Sequence, residues 1–470
     1  MSGKSVAVVL AAGMGTRMRS TLAKVLHPVL GRPMVCYPVE AALKAGVDRV
    51  AVVIGHQGED VREVLSGTFP EADLVFAEQK QMLGTADAVR CALGATEGFE
   101  RVVIMCGDTP ALDDASLLRL IESHAQTNAA LTLTSFDAPD PTGYGRIVRD
   151  LSGKAMRIVE HADASLEERN IKEVNAGLYL VQRDDLAFAL GNIGNDNEQG
   201  EFYLTDMVHT LDGQGKTINA MKLPNPAIVA GINTRAQLSA LEETIRRERN
   251  NRLMESGVSI ESPDTVRIES DVTIGQDTRI GRGVQLRGKT QIGSGCLIEA
   301  GAHLTDCLVG NNVHVKPYVV AQDAIIGSDA AVGPFAHLRP GTVLGDKAKV
   351  GNFVETKKAT LGKGSKASHL TYLGDCEIGD DVNIGAGTIT CNYDGFDKHK
   401  TVLDDGVFVG SDTQFVAPVH VGKNATVGAG TTVTGNVPDG ALVLSRTEQR
   451  VIEGYYDKRR KPREEAKRKK

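Results

Sequence analysis

Hydrophobic residues follow two unlike patterns along this chain. Up to about Ile232, short aliphatic runs at Val6–Leu10, Arg49–Ile54, Arg101–Met105 and Gly177–Val181 alternate with stretches of helical period. Uninterrupted aliphatic runs suit strands covered on both faces, so this half predicts an α/β domain with a mostly parallel sheet. A nucleotide would bind at the carboxyl ends of such strands. From Thr234 to Gly257 the chain becomes charged, and Leu238, Leu241, Ile245 and Leu253 recur near a 3.6-residue period, which predicts a connecting helix. Beyond it, aliphatic-glycine pairs run from Ile274-Gly275 to Val427-Gly428, mostly six or twelve residues apart. A fixed hexapeptide period predicts a parallel β-helix, its aliphatic residue pointing inward and its glycine permitting a tight corner. The longest gap, Ile384 to Val409, holds the polar stretch Asn392–Lys400, which reads as a loop thrown out from the coils.

Length and composition narrow the function classes. A chain of 470 residues exceeds one compact core and calls for two or three units. The net charge of −7 argues against general nucleic-acid binding, and the basic stretch Lys458–Lys470 is expected to be a solvated tail. The seven cysteines show no C-x-x-C spacing, which argues against a disulfide framework or zinc site and for a reducing cytoplasm. The apolar run ending at Ala12 is too short to span a membrane and leads into a glycine loop, so neither export nor membrane association is expected.

That loop, Leu10-Ala-Ala-Gly-Met-Gly-Thr-Arg-Met18, is followed by Lys24. Glycines let backbone N–H groups approach phosphates, and Arg17 and Lys24 add positive charge. Alone, the loop reads equally as an ordinary strand-to-helix turn, and Asp108 alone as a helix N-cap. Its companions change the reading: Gln79, Leu83-Gly-Thr85, Cys106-Gly-Asp108, Gly143-Tyr-Gly-Arg-Ile147, Val159-Glu-His161 and Val174-Asn-Ala-Gly177. Together these resemble the sugar-1-phosphate nucleotidyltransferases over residues 1 to about 232. The resemblance implies that Asp108 and Asn233 hold Mg²⁺, that the backbone around Leu10, Ala11, Ala12 and Gly13 touches base and phosphates, and that Gln79 pairs with uracil. An amide can both donate and accept, which suits O4 and N3–H of that base. Gly84 and Thr85 would line the nucleotide, Gly145, Glu160 and Asn175 would hold the sugar, and Arg17 and Lys24 would neutralise phosphate charge.

The repeat region admits two readings, an oligomerising scaffold or a second enzyme. His369 lies in Ser365–Asp375, preceded by Leu338-Arg-Pro-Gly341 and Asn352–Lys358 and followed by Asn383, Asn392-Tyr393 and Ser411. With the N-terminal motifs, this set closely resembles the bacterial bifunctional N-acetylglucosamine-1-phosphate uridyltransferase/glucosamine-1-phosphate acetyltransferase family over nearly the whole chain. Acetyl transfer from a thioester to an amine needs a base, and an ordinary histidine with pKa about 6.5 supplies one near neutrality. The resemblance makes His369 that base, oriented by Glu355. Arg339 and Lys357 would bind the sugar phosphate, and Tyr372, Asn383, Asn392 and Tyr393 would position the amino sugar. Asn392 and Tyr393 would also border acetyl-CoA, with Ser411, the backbone of Ala386 and Ala429, and Arg446. It further implies a left-handed β-helix, a homotrimer with acetyltransfer sites between subunits, and a product, UDP-N-acetylglucosamine, used for peptidoglycan and lipopolysaccharide. The expected organisation is a uridyltransferase domain over 1–233, a helical linker over 234–257, an acetyltransferase β-helix over 258–450 and a basic tail over 451–470. A nucleotidyltransferase for another sugar, with the β-helix only a scaffold, is the alternative, and acetyl-CoA dependence separates the two.

Overall fold

The computed structural model describes residues 4–469, which form two compact units divided between Arg249 and Asn250. In the first, the aliphatic runs become the middle of a nine-stranded sheet. Its main path is Ile218–Lys222, Leu131–Asp137, Glu173–Gln182, Arg101–Cys106, Ser5–Leu10, Arg49–Ile54 and Leu74–Glu78, with a hairpin, Arg146–Arg149 and Ala155–Val159, off Glu173–Gln182. Successive side chains of a strand point to opposite faces, so Ala7 and Val9 enter one core and Val6 and Val8 the other. The sheet is mixed: Glu173–Gln182, which contains the Gly177–Val181 run, is antiparallel to both neighbours. An aliphatic run reports burial on both faces, not direction.

The helix Arg235–Glu255 occupies the stretch expected to connect the units, yet it is not a free-standing linker. Leu238, Leu241 and Ile245 pack with Met18, Val29 and Met34 of the first unit. At its other end Leu253 packs against the core of the second unit, and the buried Asn250 donates to the carbonyls of Pro263 and Val266 (3.0 and 3.2 Å).

In the second unit, 26 short strands stack in parallel as a β-helix. Arg267 pairs with Gln285 and Gln285 with His303, eighteen residues each, so one coil consumes three hexapeptides. The repeating aliphatic residues point inward: Ile280, Ile292, Val332, Val350, Leu361 and Val409 are all buried. The glycines after them act differently from expectation. A Cβ on Gly275 would sit 2.5 Å from Ser294 Oγ of the next coil, and one on Gly385 would sit 2.5 Å from the backbone of Gly410 and Ser411. These glycines let coils touch, while the left-handed corner conformation falls two residues later, on Asp277, Asn312, Asp329, Asp381 and Asp412 at some corners and on a second glycine, such as Gly283, Gly295 and Gly387, at others. Asp and Asn tolerate that region better than other side chains. Corner side chains also tie coils together: Asn311, Asp346, Asp380 and Asp439 each accept a backbone N–H from the coil before (2.7–2.9 Å).

At the loop, Cys376 pairs with Thr401, twenty-five residues on, and the eighteen-residue register resumes with Thr401 and Val419. The tail beyond Val451 is exposed and partly helical, with a π-helical turn at Tyr456–Arg460 and an α-helix at Lys461–Arg468. All seven cysteines are free thiols. Among the described residues no helix is long and apolar enough to cross a membrane.

Candidate active sites

In the first unit a cleft of about 290 Å³ opens at the carboxyl ends of Ser5–Leu10 and Arg101–Cys106. Leu10, Ala12, Gly13, Lys24, Gln79, Gly84, Thr85 and Asp108 line it, joined by Met82 and Glu201, which the motifs had not singled out. Ala11 is buried behind the loop, and its N–H is spent on the carbonyl of Val53 (2.9 Å), so it offers no donor to a phosphate. Gly15 is left-handed (φ +61°), and a Cβ there would meet Lys24 Cβ at 2.5 Å; glycine is what lets the loop fold against this lysine. Lys24 Nζ donates to Asp108 Oδ2 and to Asn233 Oδ1 (3.2 Å), and Arg17 Nη2 donates to the same Asn233 oxygen (2.9 Å).

Asp108 does not cap a helix, because Asp113 fills that role by accepting the N–H of Ser116 (2.9 Å). Instead its backbone carbonyl accepts the N–H of Ile232 (3.1 Å), which brings the segment carrying Asn233 alongside. A capping box fixes Asn233 from the other side: Gln237 Oε1 accepts the N–H groups of Asn233 and Thr234 (2.9 and 3.1 Å). A carboxylate and an amide oxygen thus converge on one cation-sized position, now filled by Nζ. Two hard oxygen donors with room for water and phosphate fit a magnesium ion. Beside them burial and the Asp108 charge push the Cys106 thiol up to about 12.

At the cleft's other end Gln79 is 4% exposed. Its Nε2 donates to Asp87 Oδ2 (2.9 Å) and to the carbonyl of Gly84 (3.2 Å), so the expectation that this amide presents both donor and acceptor to uracil is corrected: only Oε1 remains. Gly84 (φ +115°) lies so close to Phe202 that a Cβ would sit 2.5 Å from its carbonyl oxygen, and Leu204 N–H donates to Thr85 Oγ1 (3.0 Å). Toward the expected sugar end, Asn175 N–H donates to the Gly145 carbonyl (2.8 Å). A Cβ on Gly145 would reach within 3.3 Å of Glu160 Oε1. Burial raises the Glu160 carboxyl above its ordinary value, opposed by the Thr205 hydroxyl that donates to it (2.9 Å). Asn175 Nδ2 donates to the Tyr179 hydroxyl (2.6 Å).

In the second unit the coil register assembles the site. Asn352 pairs with His369, Asp412 N–H donates to the Ala386 carbonyl, and Gly430 N–H donates to that of Ser411. Asn352, His369, Ala386, Ser411 and Ala429 therefore form one row up a corner of the β-helix. Asn383 lies on the face before that corner; Glu355, Lys357 and Tyr372 lie on the face after it. Gly351 brings the two lowest coils together, since a Cβ there would be 1.8 Å from the Ser368 carbonyl oxygen. His369 Nδ1 meets Asn352 Oδ1 at 2.9 Å. Glu355, expected to orient His369, is one face away and pairs with Arg339 Nη1 at 2.7 Å; this corrects the expectation, because the coil below His369 presents Asn352.

Arg339 stacks beside Lys357, whose ammonium is held below the ordinary lysine value first by Lys398 and then by Arg339. Arg339 and Lys357 are half-buried and Lys398 is exposed, and together they concentrate positive charge; Lys398 is the member that motif reasoning missed. It sits in the loop, where Tyr393 and Lys398 bridge and Asp394 accepts the N–H groups of Phe396 and Asp397 (2.8 and 2.7 Å). Asn392 is buried and donates to Asp375, so it anchors the loop, while Tyr393 is exposed and its hydroxyl donates to the Gly395 carbonyl (2.7 Å). Arg446 Nη2 reaches the Ala429 carbonyl at 3.4 Å.

Comparison with known proteins agrees with both halves. Residues 7–199 match the MobA-like NTP transferase domain, 268–362 the GMPPB C-terminal domain and 401–435 the hexapeptide repeat of succinyl-transferase. A bifunctional protein GlmU from Pelobacter propionicus is 50% identical over 96% of this chain and 97% of its own length. Relatives of the same name from Geotalea uraniireducens and Shouchella clausii are 48% and 43% identical, each over 97% of this chain, and are themselves covered over 99% and 100%. At that identity over nearly full length, the chain belongs to the family of the bifunctional protein GlmU.

Proposed function

We propose that this chain carries out two consecutive steps: N-acetylation of glucosamine 1-phosphate by acetyl-CoA on the β-helix, then uridylyl transfer from UTP to N-acetylglucosamine 1-phosphate in the α/β unit, giving UDP-N-acetylglucosamine and pyrophosphate. The observation that carries the first step is the corner row. His369 stands above Asn352 and below Ala386, Ser411 and Ala429, with the Arg339–Lys357–Lys398 cluster on the next face. With Asn352 Oδ1 accepting the Nδ1 proton, Nε2 carries the lone pair that takes the proton from the substrate ammonium. The freed amine attacks the thioester carbonyl, the carbon–sulfur bond breaks, and coenzyme A leaves as the thiol. The cations hold the sugar phosphate, and Arg446 offers charge to coenzyme A. For the second step Arg17 and Lys24 bear on the phosphates, while Gly145, Glu160 and Asn175 hold the sugar. A phosphate oxygen of the sugar phosphate attacks the α-phosphorus of UTP and pyrophosphate departs. Asp108 and Asn233 would hold Mg²⁺, which supplies charge neutralisation on the phosphates when bound.

The active form is a homotrimer in the cytoplasm. A surface for other copies is supported by a corner ladder in which Tyr318 stacks on Phe335 (5.4 Å, 7°) and Phe335 on Phe353 (5.6 Å, 8°), continued by Leu370, all four exposed. The ladder runs one residue from Asn352 and His369, and Phe396 is 92% exposed at the loop tip. The test is to supply the protein with UTP, Mg²⁺ and glucosamine 1-phosphate, with and without acetyl-CoA, and to follow nucleotide sugar by mass spectrometry. UDP-N-acetylglucosamine formed only with acetyl-CoA is the expected result. Uridylation of N-acetylglucosamine 1-phosphate with no consumption of acetyl-CoA would make the β-helix a scaffold.

A further inference from the structure

Asp87 has no place in the motifs and no contact with the phosphate or sugar ends of the cleft, yet it controls the polarity of the side chain at the base end. It stands in the first turn of the helix Thr85–Ala92 and accepts Gln79 Nε2 at 2.9 Å. The second partner of that nitrogen is the Gly84 carbonyl at 3.2 Å. Both partners are pure acceptors, so the amide has one satisfactory orientation: reversing it would set Oε1 against a carboxylate and a carbonyl. Gln79 lines the cleft, and its Oε1 neither bonds to the protein nor belongs to the buried unpartnered oxygens among the described residues. The base end therefore presents a fixed acceptor.

We propose that Asp87 is a specificity-determining positioning residue, which locks Gln79 so that the site takes a pyrimidine with a donor N3–H and rejects one with an acceptor N3. The inference rests on the uridylyl-transfer reading and deepens it. Uracil offers N3–H to Oε1; cytosine offers a lone pair at the same atom and would leave both groups unpaired. A site built to hydrogen-bond one partner discriminates far more strongly against an analogue lacking the complement than a merely shaped pocket does. Gly84 supports the lock through its backbone, which no substitution at position 87 removes, so loss of Asp87 weakens selectivity without abolishing turnover.

The test is the ratio of kcat/KM for UTP to that for CTP, with N-acetylglucosamine 1-phosphate and Mg²⁺, in the full chain and in Asp87→Asn and Asp87→Ala. Asparagine keeps the size of the side chain and can donate to Oε1 or accept from Nε2, so only the Gly84 carbonyl still opposes the reversed amide. Alanine leaves the position to water, which can likewise donate or accept. The expected result is that both variants lose at least tenfold of the UTP/CTP ratio. A purely structural role would lower turnover of the two nucleotides in proportion and leave the ratio unchanged, because a ratio does not depend on the fraction of active protein. A ratio within twofold of the parent in both variants overturns the role of Asp87 while leaving uridylyl transfer standing. A parent chain that uses UTP and CTP equally, or neither, overturns the reading of the base end and the inference with it.

Discussion

Replacing Asn352 by alanine tests the geometry of the acetyltransfer site most directly. In the structure its Oδ1 is the partner of His369 Nδ1, at 2.9 Å. During proton transfer the ring becomes an imidazolium, so a neutral hydrogen bond becomes a charge-assisted one that is stronger in the transition state than in the ground state. Such bonds contribute about 1.5–3 kcal/mol, and His369 is exposed to water, which places the effect at the low end. At about 1.4 kcal/mol per factor of ten, Asn352→Ala should lower kcat for acetyltransfer roughly tenfold with little change in KM for either substrate. Asn352→Asp keeps an oxygen acceptor opposite Nδ1 and should retain more of kcat than Asn352→Ala. The assay is thiol release from acetyl-CoA across pH 5.5–9, with uridylyl transfer in the same samples confirming the concentration of intact protein. Glu355→Gln should instead raise KM for the sugar phosphate, because Glu355 holds Arg339 (2.7 Å). If Asn352→Ala keeps kcat within twofold, the reasoning from the corner row is wrong.

Three further outcomes test other parts of the chain. His369→Ala should abolish acetyltransfer and spare uridylyl transfer, and Asp108→Ala should do the reverse; equal loss of both activities in either folded variant would contradict two separate sites. His124, 2% exposed, is held down to about 4 by burial and by Arg101, so below the ordinary histidine value the unfolded chain takes a proton that the native one refuses. Stability is then lost as pH falls from about 6.5 toward 4, by up to about 1.4 kcal/mol per pH unit and on the order of 3 kcal/mol in all. The urea midpoint of the first unit should fall over that range less steeply in His124→Asn, and parallel curves would refute it. Phe415 is fully buried among small aliphatic side chains of the β-helix. Phe415→Ala should destabilise that unit by about 3–5 kcal/mol in chemical denaturation, and a loss under 1 kcal/mol would mean that the coils close over the void.

Much of this architecture was legible in the sequence because it repeats. The aliphatic-glycine period gives the inward rows of the β-helix, and the gap after Ile384 marks where the loop leaves it. What the period does not disclose is why glycine stands there. The left-handed residue stands two positions on, Asp or Asn at some corners and a second glycine at others, while the glycine after the aliphatic residue answers to the neighbouring coil, as the 1.8 Å clash at Gly351 makes plain. Nor does an aliphatic run disclose strand direction, which is why Glu173–Gln182 reads as parallel and is antiparallel. The candidate sites divide in the same way. Lys24, Asp108 and Asn233 carry visible motifs or follow from the family pattern, and they meet at one point. Asp87 is a bare carboxylate in a helical stretch, and only the direction of Gln79's amide gives it a task. Asn352 was recoverable in principle: stepping back one coil of seventeen residues from His369 lands on it, whereas motif comparison drew attention to Glu355.

That register also explains how a solenoid can hold a reaction centre at all. A side chain on an isolated short strand has little to fix it, since two or three residues form few hydrogen bonds. Here each strand is bound above and below, buried Thr hydroxyls such as Thr342 and Thr356 pair between coils (2.9 Å), and corner carboxylates accept N–H groups from the preceding coil. Position along the corner is therefore set by the pairing of the flanking strands, and the row from Asn352 to Ala429 holds although its coils differ in length, seventeen residues from Asn352 to His369 and twenty-five where Thr390 pairs with Phe415. The one large departure, the excursion of Asn392–Lys400, leaves after Cys391 and returns at Thr401, so that Thr390 pairs with Phe415 and Thr401 with Val419 without a slip. Single-residue differences are taken up at the corners, since a seventeen-residue coil (Val350 to Ala367) and an eighteen-residue one (Leu403 to Val421) both keep their aliphatic residues buried; an insertion inside a strand would instead turn those side chains outward. The loop leaves from the next corner, where Asn392 donates to Asp375, so the coil gains length, and with it Lys398, at no cost to the register that holds His369.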